Sequence, residues 1–230
     1  MTHYAFTPPK TVSVPIIGEA QEYPVNRIFC VGRNYAAHAA EMGVKANKSG
    51  PMYFTKSAST YVPSGASIDY ALATQNLHHE IELVVAIGAN AFQVSEKDAH
   101  NAIFGYCVGL DMTRRDLQAV ARENRHPWDI AKDFEDSAVL SDIVTVRDGN
   151  HPTTGTIELA VNGETRQKAD LSEMINSVAE VIAHLSTLYH LTAGDLIMTG
   201  TPSGVGAVVA GDKLAGSIDG VGEITLTINR

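Results

Sequence analysis

Residues 78–88, HHEIELVVAIG, set two glutamates one residue apart at the head of a run that is otherwise apolar and rich in β-branched side chains. A run this short, with this bias, suits a strand rather than a helix. Strand side chains alternate, so Glu80 and Glu82 share one face, about 6.5–7 Å apart along the backbone, while Ile81, Leu83 and Val85 occupy the other. Two anions buried together need a proton or a cation to offset them, and a hard divalent ion with oxygen ligands is the common solution. A solvent-exposed strand face accommodates an isolated Glu-x-Glu pair at least as readily.

Asp111 shifts that balance. It ends NAIFGYCVGLD, residues 101–111, a second apolar run in which no exposed face is being built. Three carboxylates from two strands, with water or substrate completing the coordination, suit Mg²⁺ or Mn²⁺ better than zinc, which favours His and Cys. His78 shares the parity of Glu80 and would argue for iron or zinc; His79 points the other way.

The rest of the chain is β-rich. RIFCVG (27–32), MYFTKSAST (52–60) and EITLTIN (223–229) read as strands, and TIELAVNGETRQ (156–167) as a hairpin around an Asn-Gly turn. AGDLIMTGTPSGVG (193–206) runs from a strand into a Gly/Ser/Thr/Pro loop that lacks the Gly-Lys-Ser/Thr end of a phosphate loop. Three helices interrupt the strands. NYAAHAAEMG (34–43) has an Asn start and a glycine stop, and places His38 and Glu41 on one face. Residues 113–124 put Arg115 and Gln118 together. Residues 170–191 read as the longest helix, capped by Asp170 or Ser172, with Ile175, Val178, Ala179, Ile182 and Leu185 as its apolar stripe. HPWDIAKDFEDSAVLS (126–141) breaks at Pro127 and reads as a loop. Residues 1–25, with Pro8, Pro9, Pro15 and Pro24, suggest an extended arm ahead of one domain spanning 26–230. Dominant strands with a few inserted helices make a β-rich α+β fold.

Charge narrows the function classes. Lys and Arg total 17 against 26 Asp and Glu, and no basic stripe of the kind that binds nucleic acid is present. No apolar stretch approaches membrane-spanning length, and MTHYAFTPPKTVSVP lacks the pattern of a secretory signal, so a cytoplasmic enzyme or binding protein is expected. Cys30 and Cys107 lie in apolar runs and read as small buried hydrophobes.

Five segments carry a resemblance. GRNYAAHAAEMG, HHEIELVVAIG, GYCVGLDMTRRDLQ, PWDIAKDFEDSAVLS and GDLIMTGTPSGVG stand in the order and approximate spacing of the fumarylacetoacetate hydrolase family, which the chain resembles from about residue 26 onward. The resemblance implies a mixed β-roll like that family's C-terminal domain, usually a homodimer, with Mg²⁺ or Mn²⁺ held by Glu80, Glu82 and Asp111. It makes the helix bearing His38 and Glu41 a mobile lid whose pair activates water. It makes Lys132 the active-site lysine, and gives Arg115, Gln118 and Thr201 to substrate binding. Without it, His38 and Glu41 would read as a surface pair, and Lys132, flanked by Asp129 and Asp133, as a solvated charge.

The implied activity is hydrolysis of the C–C bond of an acylpyruvate, with fumarylpyruvate, yielding fumarate and pyruvate during aromatic-compound breakdown, as the expected substrate. The pyruvyl α-keto and carboxylate oxygens can chelate a metal, and His38 can take a proton from water if Glu41 supports its charged form. Arg122, Arg125 and His126 offer positive groups to a distal carboxylate. Two alternatives remain at this point: decarboxylation or isomerisation of oxaloacetate or a related keto diacid, and a non-catalytic keto-acid-binding protein.

Overall fold

The two acid-bearing strands are neighbours. Ile81–Ile87 pairs antiparallel with Ile103–Asp111, with Ile81 opposite Leu110 and Glu82 opposite Gly109. The Asp111 amide donates to the Glu80 carbonyl at 2.8 Å, so this register brings all three acids to one end of the pair. Here and below the protein is described from a computed structural model, over residues 3–43, 50–146 and 149–229.

The pair lies in the middle of an eight-stranded mixed sheet. Its path runs Met52–Lys56, Ile28–Gly32, Leu196–Met198, Ile81–Ile87, Ile103–Asp111, Ala138–Leu140 and Tyr61–Pro63, with Val144–Thr145 also on Ile103–Asp111. Both faces of the central strand are covered, which is why its sequence is nearly continuous in apolar residues. Ile81, Leu83, Val85 and Ile87 join the larger core, while Val84 and Ala86 join a second core with Ile28, Cys30 and Met198. A five-stranded sheet, Glu164–Asp170, Thr156–Val161, Lys213–Ile218, Gly222–Ile228 and Ser67–Ile68, closes over the larger core. A Cβ at Gly216 would stand 2.5 Å from Ile81 Cδ1, so glycine permits this close approach of the two sheets. The expected hairpin is present, with Asn162 and Gly163 both left-handed at φ 52° and 81°. The architecture is the expected β-rich roll with few short helices.

Several elements differ from expectation. Residues 170–191 are not one helix: Asp170 caps a 3₁₀ turn at Leu171–Glu173, and the α-helix is Val178–Leu188, capped by Ser177. Ile175 lies outside it. The break has a tertiary cause, because the Ile175 amide donates to the Asn34 carbonyl at 2.7 Å and the Asn176 amide to Asn34 Oδ1 at 2.8 Å. Asn34 is thereby spent, and the first helix, Ala36–Glu41, begins without a side-chain cap. The strand expected over 52–60 stops at Lys56 and gives way to a 3₁₀ turn, Ala58–Thr60. The segment after Pro127 contains one helical turn, Asp129–Lys132, and Glu96–Ala99 forms a short helix with no clear sequence signal. Ser13–Pro15 and Glu22–Pro24 pair as a hairpin, and Val14, Ile16, Tyr23 and Val25 pack into the second core. No helix among the described residues is long and apolar enough to cross a membrane.

Candidate active site

Glu80, Glu82 and Asp111 are all buried, and one oxygen of each lies within 4.8 Å of the others. An exposed strand face is therefore excluded. Part of the offset for these anions is a set of cations that strand parity could not reveal. Lys132 sits on the short helical turn, fully buried, and its three protons meet three acceptors: Glu80 Oε2 at 2.8 Å, Asp111 Oδ2 at 2.5 Å and Thr113 Oγ1 at 2.7 Å. Burial opposes its charge, but Asp111 and Glu80 outweigh burial and hold the ammonium pKa above its ordinary value. Lys56, on the strand beside Ile28–Gly32, places its Nζ 2.9 Å from Asp111 Oδ1. Arg115 pairs with Glu80 Oε1. Burial would raise the Glu80 carboxyl, yet Lys132 and Arg115 hold it well below the usual carboxylate range.

Glu82 has no such partner. Its Oε2 accepts the Gly200 amide at 2.7 Å, and no cation among the described residues pairs with it. Burial, then Asp111 and Glu80, push its carboxyl well above the ordinary range. Asp111 Oδ1 is a buried acceptor that receives no hydrogen bond, despite the nearby Lys56 charge. The under-compensated Glu82 carboxylate, in an all-oxygen donor set, fits Mg²⁺ or Mn²⁺.

The two histidines next to Glu80 are used structurally. Arg115 Nε donates to His78 Nδ1 at 3.3 Å and His78 Nε2 faces Asn76 Oδ1 at 2.9 Å, which assigns the proton to Nε2. Burial and the Arg115 charge push the His78 pKa down to about 4. His79 Nδ1 stands 2.9 Å from Gln167 Oε1 on the other side of the strand. Neither joins the carboxylate group, so the case for iron or zinc falls away.

Arg115 and Gln118 do share a face of the helix Arg115–Asn124 and are bonded at 2.5 Å. Thr201 follows the strand Leu196–Met198 and accepts Gln167 Nε2 at 2.7 Å. His38 is buried under the first helix, its Nδ1 3.1 Å from Glu41 Oε2, and Glu41 also accepts the Gly204 amide at 3.2 Å. The first helix is thus docked onto the same loop that carries Gly200 and Thr201. Apart from Glu41, every residue expected in metal binding, catalysis or pyruvyl recognition lines one pocket, and of the three positive groups offered to a distal carboxylate only Arg122 does. Lys56, Thr113, Gln167 and Gly200 were missed; only the buried-strand context of Lys56 hinted at a charged role.

The fumarylacetoacetate (FAA) hydrolase C-terminal model matches residues 27–229. The chain belongs to the fumarylacetoacetate hydrolase family. A fumarylpyruvate hydrolase from Ralstonia sp is 55% identical over 176 residues, covering 76% of this chain and 91% of that protein. An oxaloacetate tautomerase of Escherichia coli is 38% identical over 204 residues, covering 88% and 93%. The crystal structure of fumarylpyruvate hydrolase from Pseudomonas aeruginosa, in complex with Mn²⁺ and pyruvate, superposes with a TM-score of 0.95 at 44% identity, covering 99% of both chains. Membership in this family makes the protein a hydrolase that takes a divalent ion, and the buried acidic triad offers oxygen donors suited to one.

Proposed function

We propose that the protein hydrolyses the central C–C bond of fumarylpyruvate to fumarate and pyruvate. The observation that carries this reading is the His38–Glu41 pair. Glu41 accepts from Nδ1–H at 3.1 Å, which makes Nε2 the basic nitrogen of a buried imidazole on the wall of the pocket that holds the carboxylates. A decarboxylase or a silent keto-acid binder has no need of a base so placed. The Ralstonia and Pseudomonas relatives support the choice of substrate.

In this mechanism His38 Nε2 takes a proton from water, and Glu41 supports the imidazolium that results. The hydroxide adds to the acyl carbonyl distant from the pyruvyl carboxylate. Collapse of the adduct breaks the C–C bond, and its electron pair leaves on the pyruvyl fragment as an enolate; protonation at its carbon consumes the proton that water gave to His38 and returns the imidazole to its neutral form. Lys132 lends positive charge to that fragment, while Arg115, Gln118 and Thr201 hold its carboxylate and keto oxygens. A divalent ion held by Glu80, Glu82 and Asp111 would chelate the pyruvyl oxygens and favour negative charge there. The same reading extends to a homodimer, a cytoplasmic location and a place in aromatic-compound breakdown.

The test is turnover of fumarylpyruvate by the purified, Mn²⁺-supplemented protein. Fumarate and pyruvate are expected in equal amounts, with activity abolished by chelation and restored by Mn²⁺. His38→Ala should lower kcat by about 10²- to 10⁴-fold while sparing much of any oxaloacetate decarboxylation. The E. coli relative motivates an oxaloacetate arm. Enolisation or CO₂ loss from oxaloacetate that outpaces cleavage of every acylpyruvate offered would overturn the hydrolase reading.

A further inference from the structure

Two further arginines line the same pocket as the three carboxylates and Lys132. Arg33 and Arg122 both line it, each half-buried, with Trp128 and Met42 beside them. Arg33 follows the strand Ile28–Gly32 and has a left-handed backbone, φ 62°, uncommon for a residue bearing a side chain. Its guanidinium lies 5.6 Å from the centre of the Trp128 ring. Arg122 comes from the last turn of the helix Arg115–Asn124, and its Nη2 donates to the Met42 carbonyl at the end of the first helix, 3.1 Å away. Burial disfavours the Arg33 cation, and the Arg122 charge adds to that. Neither pairs with a carboxylate among the described residues. Arg125 and His126 are exposed and do not line the pocket.

Two half-buried like charges that pair with no carboxylate among the described residues carry a cost that an external anion would relieve. The pyruvyl end of the substrate is already provided for by Arg115, Gln118, Lys132 and the acidic triad. We propose that Arg33 and Arg122 form a guanidinium clamp for a second carboxylate at the acyl end, which makes this site selective for acylpyruvates whose acyl group ends in an acid. The proposal rests on the acylpyruvate reading and specifies its substrate class as dianionic. Because Arg122 also holds the Met42 carbonyl, a carboxylate bound there would sit where the substrate helix meets the first helix.

Fumarylpyruvate and acetylpyruvate share the diketo acid and differ in the unsaturated arm that ends in the distal carboxylate, so the effect of an arginine substitution on each separates the clamp from the rest of the site. Calorimetric titration of the Mn²⁺-loaded H38A protein, which binds without turning over, should show tighter binding of fumarylpyruvate. Introducing Arg33→Gln or Arg122→Gln should weaken fumarylpyruvate by about 10- to 100-fold, at least tenfold more than acetylpyruvate, and Arg33→Lys should recover part of the difference. Equal weakening of both ligands, no weakening of either, or no binding by either would overturn the clamp. Turnover by the protein with His38 intact is read separately: absent cleavage sinks the hydrolase reading, whereas a calorimetric preference for the dianion that depends on both arginines stands without it.

Discussion

At the scale of single residues, the acidic triad depends on a glycine as much as on its acids. Among the described residues, Glu82 receives one hydrogen bond, from the Gly200 amide, and Gly200 holds φ at 100°. A Cβ there would lie 2.7 Å from Asn34 Cβ and 3.1 Å from the Val31 carbonyl. Gly200→Ala is therefore expected to turn the amide away and leave a buried carboxylate without a donor, weakening Mn²⁺ binding by about 10- to 100-fold. Electron paramagnetic resonance of free Mn²⁺ during titration measures this, and an unchanged dissociation constant would remove Gly200 from the site. The three acids were legible in the sequence because alternation puts Glu80 and Glu82 on one face and Asp111 ends an apolar run. Gly200, Lys56 and Gln167 were not, since each acts through a partner distant in the chain: Lys56 on Asp111, Gln167 on His79 and Thr201. Lys132 was legible only by resemblance, and its short helical turn, read as loop, is what buries it.

At the scale of elements, the helix Ala36–Glu41 that carries His38 is six residues long and too short to be stable alone. Its position comes from Asn34 at its start. Asn34 Nδ2 donates to the carbonyls of Asn176 at 2.9 Å and Thr199 at 2.8 Å, and Oδ1 accepts from Asn176, so one side chain joins this helix, the approach to Val178–Leu188 and the Gly200 loop. This clamp is also why a continuous helix over 170–191 was wrongly expected: the apolar spacing runs through residue 175, but a long-range backbone bond pulls that turn out. Local periodicity carries no trace of such a contact. Asn34→Ala strands the buried Thr199 carbonyl and the half-buried carbonyl and amide of Asn176, and should destabilise the protein by about 2–4 kcal/mol. Thermal denaturation checks it. If the melting temperature held while fumarylpyruvate turnover fell, Asn34 would serve catalysis alone.

At the scale of the whole molecule, the β-rich class was legible from the many β-branched runs, but the first 25 residues were not readable as part of the core. Prolines at 15 and 24 suggested an arm, yet both sit in an edge hairpin, where the missing donors are tolerated. Val14, Ile16, Tyr23 and Val25 cover the second core, and the Tyr23 hydroxyl lies 2.7 Å from the Ile87 carbonyl and 2.8 Å from that of Asp195. The carbonyl of Ile87 ends the strand that begins beside Glu82, so the hairpin buttresses the far end of the metal strand. We propose that residues 26–230 carry all the chemistry while residues 1–25 supply a cover they cannot fold without. Each of those four side chains is worth about 1.5–3 kcal/mol in burial, a sum comparable to the ~5–15 kcal/mol stability of a typical protein. Deleting residues 1–25 should therefore yield aggregated or dye-binding protein rather than a smaller active enzyme. Tyr23→Phe, which removes one hydroxyl and keeps the packing, should lower the melting temperature by about 2–4 °C and leave Mn²⁺ binding intact. A truncated chain that melts at the full-length temperature would show instead that the second core closes without its hairpin.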